Sequence, residues 1–228
     1  MARLVGGPFG GISGKIGEVV YRNRNGNTIV CARPRERMSP LTEHEIALQA
    51  KFALAGRVSG AINSIEILKQ IWKPTYKNGL SSYNVIFKNN YKIVNIKNIS
   101  GPVHIAPMFG FNIKEPIITP GEADIVIECK PMDIDSGFDT KVEKFVMAAG
   151  VIILEKPLTE RIPSYDVLAF KTLKQTFKPM EAMRTSTDIS GGPQITLQSY
   201  GLKKAYAVLV TTDEAGNPVK YSDTFSSQ

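Results

Sequence analysis

Gly17-Glu18-Val19-Val20-Tyr21-Arg22-Asn23-Arg24-Asn25-Gly26-Asn27-Thr28-Ile29-Val30-Cys31-Ala32-Arg33 reads as a β-hairpin. An Asn-Gly pair between β-branched runs supplies the two positive-φ positions of a type I′ turn, whose twist suits the strands it joins. Val20, Arg22 and Arg24 alternate with Val19, Tyr21 and Asn23, and Ile29 and Cys31 alternate with Val30 and Ala32. The arginines are therefore expected as a ladder on one face of a twisted ribbon. Upstream, Gly10-Gly11-Ile12-Ser13-Gly14-Lys15-Ile16 reads as a flexible or tightly turned glycine segment before the hairpin.

Beyond the ribbon the pattern turns helical. Thr42-Glu43-His44-Glu45 fits a capping box, and apolar positions recur at steps of three and four from Ile46 to Trp72, until Lys73-Pro74 stops the run. Gly56 and Gly60 lie inside this stretch, so a bend or two helices are expected there. A shorter helix is expected from about Ser81 to Asn89. From residue 101 short apolar runs alternate with Pro/Gly turns: Val103–Ala106, Ala123–Cys129, Lys144–Leu154, Val167–Thr172, Gln194–Tyr200, Lys203–Thr211 and Lys220–Phe225. Tyr206–Thr212 and Pro218–Phe225, joined through Asp213-Glu214-Ala215-Gly216-Asn217, read as a terminal hairpin.

The fold class expected is α+β and mainly β. It comprises a glycine-rich basic arm and β-hairpin at 1–38, a helical segment at 39–95, and an antiparallel immunoglobulin-like β-sandwich at 101–228.

Charge is divided unevenly along the chain. Residues 1–100 hold fifteen Lys/Arg against five Glu, a balance of +10, and the remainder carries −3 of the total +7. A basic front and a mildly acidic back attract different partners, including other copies of the chain. Lys15, Tyr21, Arg22, Arg24, Arg33, Arg35 and Arg37 form the one constellation with functional weight. Guanidinium forks suit carboxylate and phosphate alike, so this set reads as a contact for a neighbouring subunit, as a nucleic-acid contact, or as a solvated face. On the subunit reading, Glu155, Glu160 and Asp166 are the expected acceptors.

Other motifs fail on their own chemistry. Gly10–Ile16 is not a phosphate loop, because Phe9 stands where its first glycine belongs and Ile16 where Ser or Thr holds magnesium. Asp133–Asp139 misses the calcium-loop spacing, with glycine fifth and Lys144 twelfth. His44 and His104 build no site by sequence, and no G-x-S-x-G elbow is present. No catalytic residue, cofactor or metal is expected, and the chain is not read as an enzyme.

Cys31 and Cys129 lie in apolar strand-like runs and read as two buried reduced thiols, a single disulfide being the alternative. No run reaches the roughly 18 apolar residues of a membrane span, and Gly6-Gly7-Pro8 interrupts any signal-like start. Synthesis in the cytoplasm without a classical signal peptide is the expectation.

Gly10-Gly11-Ile12-Ser13-Gly14-Lys15-Ile16-Gly17-Glu18-Val19-Val20 with the basic hairpin resembles the opening of an uncharacterised domain-of-unknown-function family of Bacteroidota and their phages. Arg33-Pro34, Pro40-Leu41-Thr42, Gln49–Ala53, Tyr83–Asn90 and the terminal hairpin fit the same pattern, whereas Ile12, Cys31 and Glu45 depart from it. The resemblance implies a small non-enzymatic protein that is a component of a virion or similar assembly, and it brings no catalytic residues. The expected function is thus a homo-oligomeric structural protein, self-associating through its N-terminal arm. The alternatives are a nucleic-acid-binding protein and a surface-exposed immunoglobulin-like adhesion module.

Overall fold

Glycine-rich sequence at the front of the chain folds as more than a hairpin. The computed structural model describes residues 3–5, 11–24, 27–33, 39–75, 80–94, 102–132, 137–160 and 162–227. Within it β1 (Arg3–Val5), β2 (Gly11–Ile16), β3 (Val19–Arg24) and β4 (Asn27–Ala32) make an antiparallel sheet in that order. The segment read as a glycine turn is therefore strand β2. Gly17 turns the chain from β2 into β3 at φ +57°, a conformation glycine adopts without strain. β3 and β4 pair from Val19↔Ala32 to Arg24↔Asn27, in the expected hairpin register. Asn25 and Gly26 lie outside the described residues. This sheet belongs to the first of two units, Met1–Thr42 and Glu43–Gln228.

The second unit begins with α1 (Glu43–Ser64), which runs unbroken through Gly56 and Gly60. The expected break falls instead at Ile65, extended at φ −87° and ψ 109°, before α2 (Glu66–Trp72). Ile65 N–H donates to the Ile62 carbonyl at 3.2 Å and the Ser64 hydroxyl to that of Ala61 at 2.7 Å, tightening the last turn so that the chain can redirect. The kink turns Ile67, Leu68, Ile71 and Trp72 into the core. α3 (Ser82–Tyr91) starts where Ser81 caps the Asn84 N–H, and it packs on α1.

The rest of the described unit comprises β5 (Ile117–Pro120), β6 (Asp124–Cys129), β7 (Phe145–Pro157), β8 (Tyr165–Lys171), β9 (Gln175–Thr176), β10 (Met183–Asp188), α4 (Gly192–Gln198), β11 (Tyr200–Thr212), β12 (Pro218–Tyr221) and β13 (Phe225–Ser226). The larger sheet has the order β12-β11-β7-β8, with β13 on β11 and β9 on β7. The smaller has the order β10-β6-β5, and all these pairings are antiparallel. Both faces of the larger sheet are covered. Met147, Ala149, Val151, Ile153, Val208 and Val210 pack with the helices, while Val146, Ala148, Ile152, Leu154, Ala207 and Leu209 pack with Ile118, Ile125 and Ile127 of the smaller sheet. Burial on both faces explains the nearly unbroken apolar run of β7, since alternation survives only where one face meets water. Gly150 interrupts that run because a Cβ there would sit 2.0 Å from the Tyr206 carbonyl oxygen.

The α+β, mainly β class is thus as expected, with two antiparallel sheets facing each other and the helices forming a third layer. Several strand readings need correction. Val103–Ala106 is not a strand: buried Asn90 accepts the His104 N–H at Oδ1 (2.9 Å) and donates from Nδ2 to the His104 carbonyl (3.1 Å), and Trp72 Nε1 donates to the Ile105 carbonyl at 2.9 Å. Side chains do there what a neighbouring strand would have done. Gln194–Tyr200 is mostly helix α4, because Gly191 at φ +68° and Pro193 in the first turn set a helix start. β1, β5, β9 and β10 have no counterpart among the strands expected from the sequence.

Candidate functional site

Antiparallel partners share a face, so the register of the N-terminal sheet sorts its side chains. Lys15↔Val20↔Cys31 and Arg22↔Ile29 place Lys15 and Arg22 on one face with Val20, Ile29 and Cys31. The Arg33 N–H donates to the Glu18 carbonyl at 2.7 Å, continuing the same alternation, so Arg33 joins that face. Lys15, Arg22 and Arg33 are all exposed. Arg24 closes β3 opposite Asn27, and Arg35 and Arg37 lie outside the described residues.

Tyr21 lies on the other face, paired with Gly14 and Val30. That face also holds Ile16, Val19 and Ala32, with Ile16 52% and Val30 56% exposed. The two faces differ in charge: one carries Lys15, Arg22 and Arg33 among Val20, Ile29 and Cys31, and the other carries aliphatic groups plus a tyrosine. The apolar face depends on the pairing of β2 with β3, which brings Ile16 beside Val19.

The expected acidic acceptors are partly engaged within the second unit. Glu155 pairs with Lys204 at 3.4 Å and Asp166 with Arg57 at 3.8 Å, while Glu160 is exposed. His44 is exposed in the first turn of α1, and His104 is half-buried. Among the described residues no three His, Cys, Asp or Glu side chains come together to hold a metal ion. No helix among them is long and apolar enough to cross a membrane.

The cysteine reading needs one correction. Cys129 is buried, but Cys31 is exposed, its thiol donating to the Val20 carbonyl at 3.6 Å, and both thiols are free. Cys31 is exposed although its cross-strand partner Val20 on the same face is buried, so an apolar strand neighbourhood did not imply burial.

The fold and this face define an α+β, mainly β protein with an N-terminal sheet whose two faces differ in charge. No protein-family model matches the chain, and no curated protein matches it.

Proposed function

We propose that this is a non-enzymatic structural protein whose N-terminal sheet joins it to other copies of itself, as a component of a virion or similar particle. The observation that carries the reading is the difference between the faces of that sheet: Lys15, Arg22 and Arg33 on one face, and Ile16, Val19, Tyr21, Val30 and Ala32 on the other. Exposed aliphatic groups contiguous on a small sheet gain about 25 cal/mol per Å² when covered. Lys15, Arg22 and Arg33 are exposed and suited to carboxylates, and of Glu155, Glu160 and Asp166 it is Glu160 that is exposed. The outer strand β4 has one neighbour within the sheet, so it also offers a backbone edge for strand addition.

The test is sedimentation of the full chain carrying Ile16→Glu and Val30→Glu, beside a chain lacking residues 2–37. Both are expected to keep the folded Glu43–Gln228 unit, which has its own hydrophobic core, and to lose oligomer mass. Unchanged mass for both ends the reading.

The shared orientation of Lys15, Arg22 and Arg33 also favours a second reading, nucleic-acid binding. Three phosphates neutralised on a duplex would give a log–log salt slope of about −2.7. No retardation of DNA or RNA at low salt excludes it.

A further inference from the structure

We propose that the aromatic strip where α3 packs on α1 binds single-stranded nucleic acid, its bases stacking on the rings and its phosphates meeting the lysines alongside. The strip lies wholly in the second unit and shares no residue with the N-terminal sheet.

Side chains four apart on a helix stand one above the other, so α3 presents two adjacent rows. Tyr83, Phe87 and Tyr91 form one. Asn84, Lys88 and the C-cap residue Lys92 form the row beside it. Along the aromatic row the ring centres of Tyr83 and Phe87 lie 6.1 Å apart with planes inclined at 29°, and those of Phe87 and Tyr91 5.5 Å apart at 23°. α1 supplies the opposite border. The Phe52 ring lies 4.8 Å from that of Phe87 and 6.4 Å from that of Tyr91, and Lys51 Nζ sits 4.6 Å from the Tyr91 ring centre.

These rings join the two helices but are not enclosed by them. Tyr83, Phe87 and Tyr91 are half-buried and Phe52 is 59% exposed, so aromatic surface remains in water along the whole strip. Lys88 and Lys92 are exposed beside it.

Charge selects the occupant. No Asp or Glu occurs from Ile46 to Ile65 or from Leu80 to Val94, while Lys51, Lys88 and Lys92 border the rings. The acids of α1, Glu43 and Glu45, are confined to its first turn, and its other cation, Arg57, turns to the Tyr165 carbonyl. Ring faces flanked by cations and clear of carboxylates match a single strand, in which every nucleotide brings one π-face and one phosphate. An anionic membrane would draw on the same lysines, but it takes up aliphatic chains, and the two rows of α3 hold only rings, amides and lysines. Spacing separates single strand from duplex. Bases in a duplex strand step by about 3.4 Å, whereas rings 5.5–6.1 Å apart suit bases splayed from one another.

Fluorescence anisotropy of a labelled oligo-dT of about twelve nucleotides tests this. The full chain is used with Arg22→Glu/Arg33→Glu, which removes cations of the N-terminal sheet. Binding is expected, with a log–log salt slope of about −2.1 for three phosphates neutralised on a single strand. Phe87→Leu and Tyr91→Leu keep an apolar side chain between the helices and remove the ring, so each should weaken binding about tenfold with little change in melting temperature. Lys88 is exposed, so Lys88→Gln keeps the test open should a ring variant fail to fold; it should flatten the slope to about −1.4. No binding at low salt, affinity unchanged by folded ring variants, or a slope unchanged by Lys88→Gln overturns the proposal. So does a duplex of the same length that competes as well as the single strand, or binding to phosphatidylserine vesicles in place of the oligonucleotide. Wild type that binds while the Arg22→Glu/Arg33→Glu chain does not would assign the affinity to the N-terminal sheet, overturning this site and leaving that reading intact.

Discussion

Arg57 Nη1 donates to the Tyr165 carbonyl at 2.9 Å, a helix side chain closing the outer edge of a strand. Thr172 N–H bonds the Ala148 carbonyl, so alternate residues of β8, Tyr165, Val167 and Ala169 among them, turn their backbone groups away from β7. Asp166 Oδ1 accepts from the Val167 N–H at 2.8 Å and faces Arg57 at 3.8 Å, while the guanidinium lies 5.2 Å from the Tyr165 ring centre. Two outward backbone groups of that edge, the Tyr165 carbonyl and the Val167 N–H, are thereby occupied by side chains, one of the ways sheet proteins avoid edge-to-edge aggregation.

Arg57→Ala should accordingly do two things. Arg57 is nearly half exposed, so its ion pair adds little and the loss in stability should be about 1 kcal/mol, mostly from the backbone hydrogen bond. The larger effect should be on association: light scattering at rising concentration should show aggregation that Arg57→Lys only partly suppresses, because lysine lacks the planar fork. Equal scattering from wild type and Arg57→Ala would mean that β8 is protected by something else.

How much of this was legible beforehand depended on periodicity. β3–β4 and β11–β12 were readable because Asn-Gly and the Asp213–Asn217 turn mark both ends of each pair. In the latter, Asp213 Oδ1 accepts from the Asn217 N–H at 2.7 Å. α1 was readable because one face meets a core. The strands β5 and β10 were not: each is short and lies at the edge of the smaller sheet, and Met183-Arg184-Thr185-Ser186 carries no apolar alternation. Of the candidate site, the cations on one face followed from a period of two. Outside it, the left-handed backbone of Phe109 (φ +76°) was not legible, since it is imposed by tertiary contacts at Gly110 and Asp223, and propensity argues against it.

Gly150→Ala should be among the most damaging single changes. The added methyl would meet the Tyr206 carbonyl oxygen at 2.0 Å and the Ala207 Cα at 2.8 Å, backbone atoms of a central strand that cannot rotate away. Overpacking of this kind costs about 3 kcal/mol or more. Urea denaturation should show a markedly lowered midpoint. Gly60→Ala, which meets nothing within 4 Å in α1, should instead stabilise by up to about 1 kcal/mol.

The two thiols should be separable chemically. Cys31 should react with a thiol reagent at once and Cys129 only on unfolding, so one fast equivalent becomes two in denaturant. Burial pushes the Cys129 thiol up, with the backbone hydrogen bond at Met183 opposing it, and burial followed by the nearby Glu155 charge pushes the Tyr206 phenol up. Both groups are neutral when protonated, and the folded state holds the proton more tightly. Their contribution is therefore full below the ordinary values of 9.0 and 10.0 and is lost as pH climbs through the raised folded values. Thermal melts should show stability falling above about pH 9, with a weaker decline in Cys129→Ala.

The last prediction concerns a carboxylate enclosed near the terminal hairpin. The Glu143 side chain is 1% exposed, and Lys220 Nζ lies 3.3 Å from its Oε1, which also accepts the Asp139 N–H at 3.1 Å. Its Oε2 is buried with no hydrogen-bond partner. Lys220 further donates to the Gly137 carbonyl and sits 5.1 Å from the Phe138 ring centre, so one ammonium ties β12 to the 137–143 loop. Removing it as Lys220→Met leaves the carboxylate without that charge and should cost about 3 kcal/mol. Glu143→Gln in the same chain should recover much of the loss, because the neutral amide needs no counter-charge. A double-mutant cycle by urea denaturation measures this coupling. Strict additivity of the two changes would show that the ammonium and the carboxylate do not depend on each other.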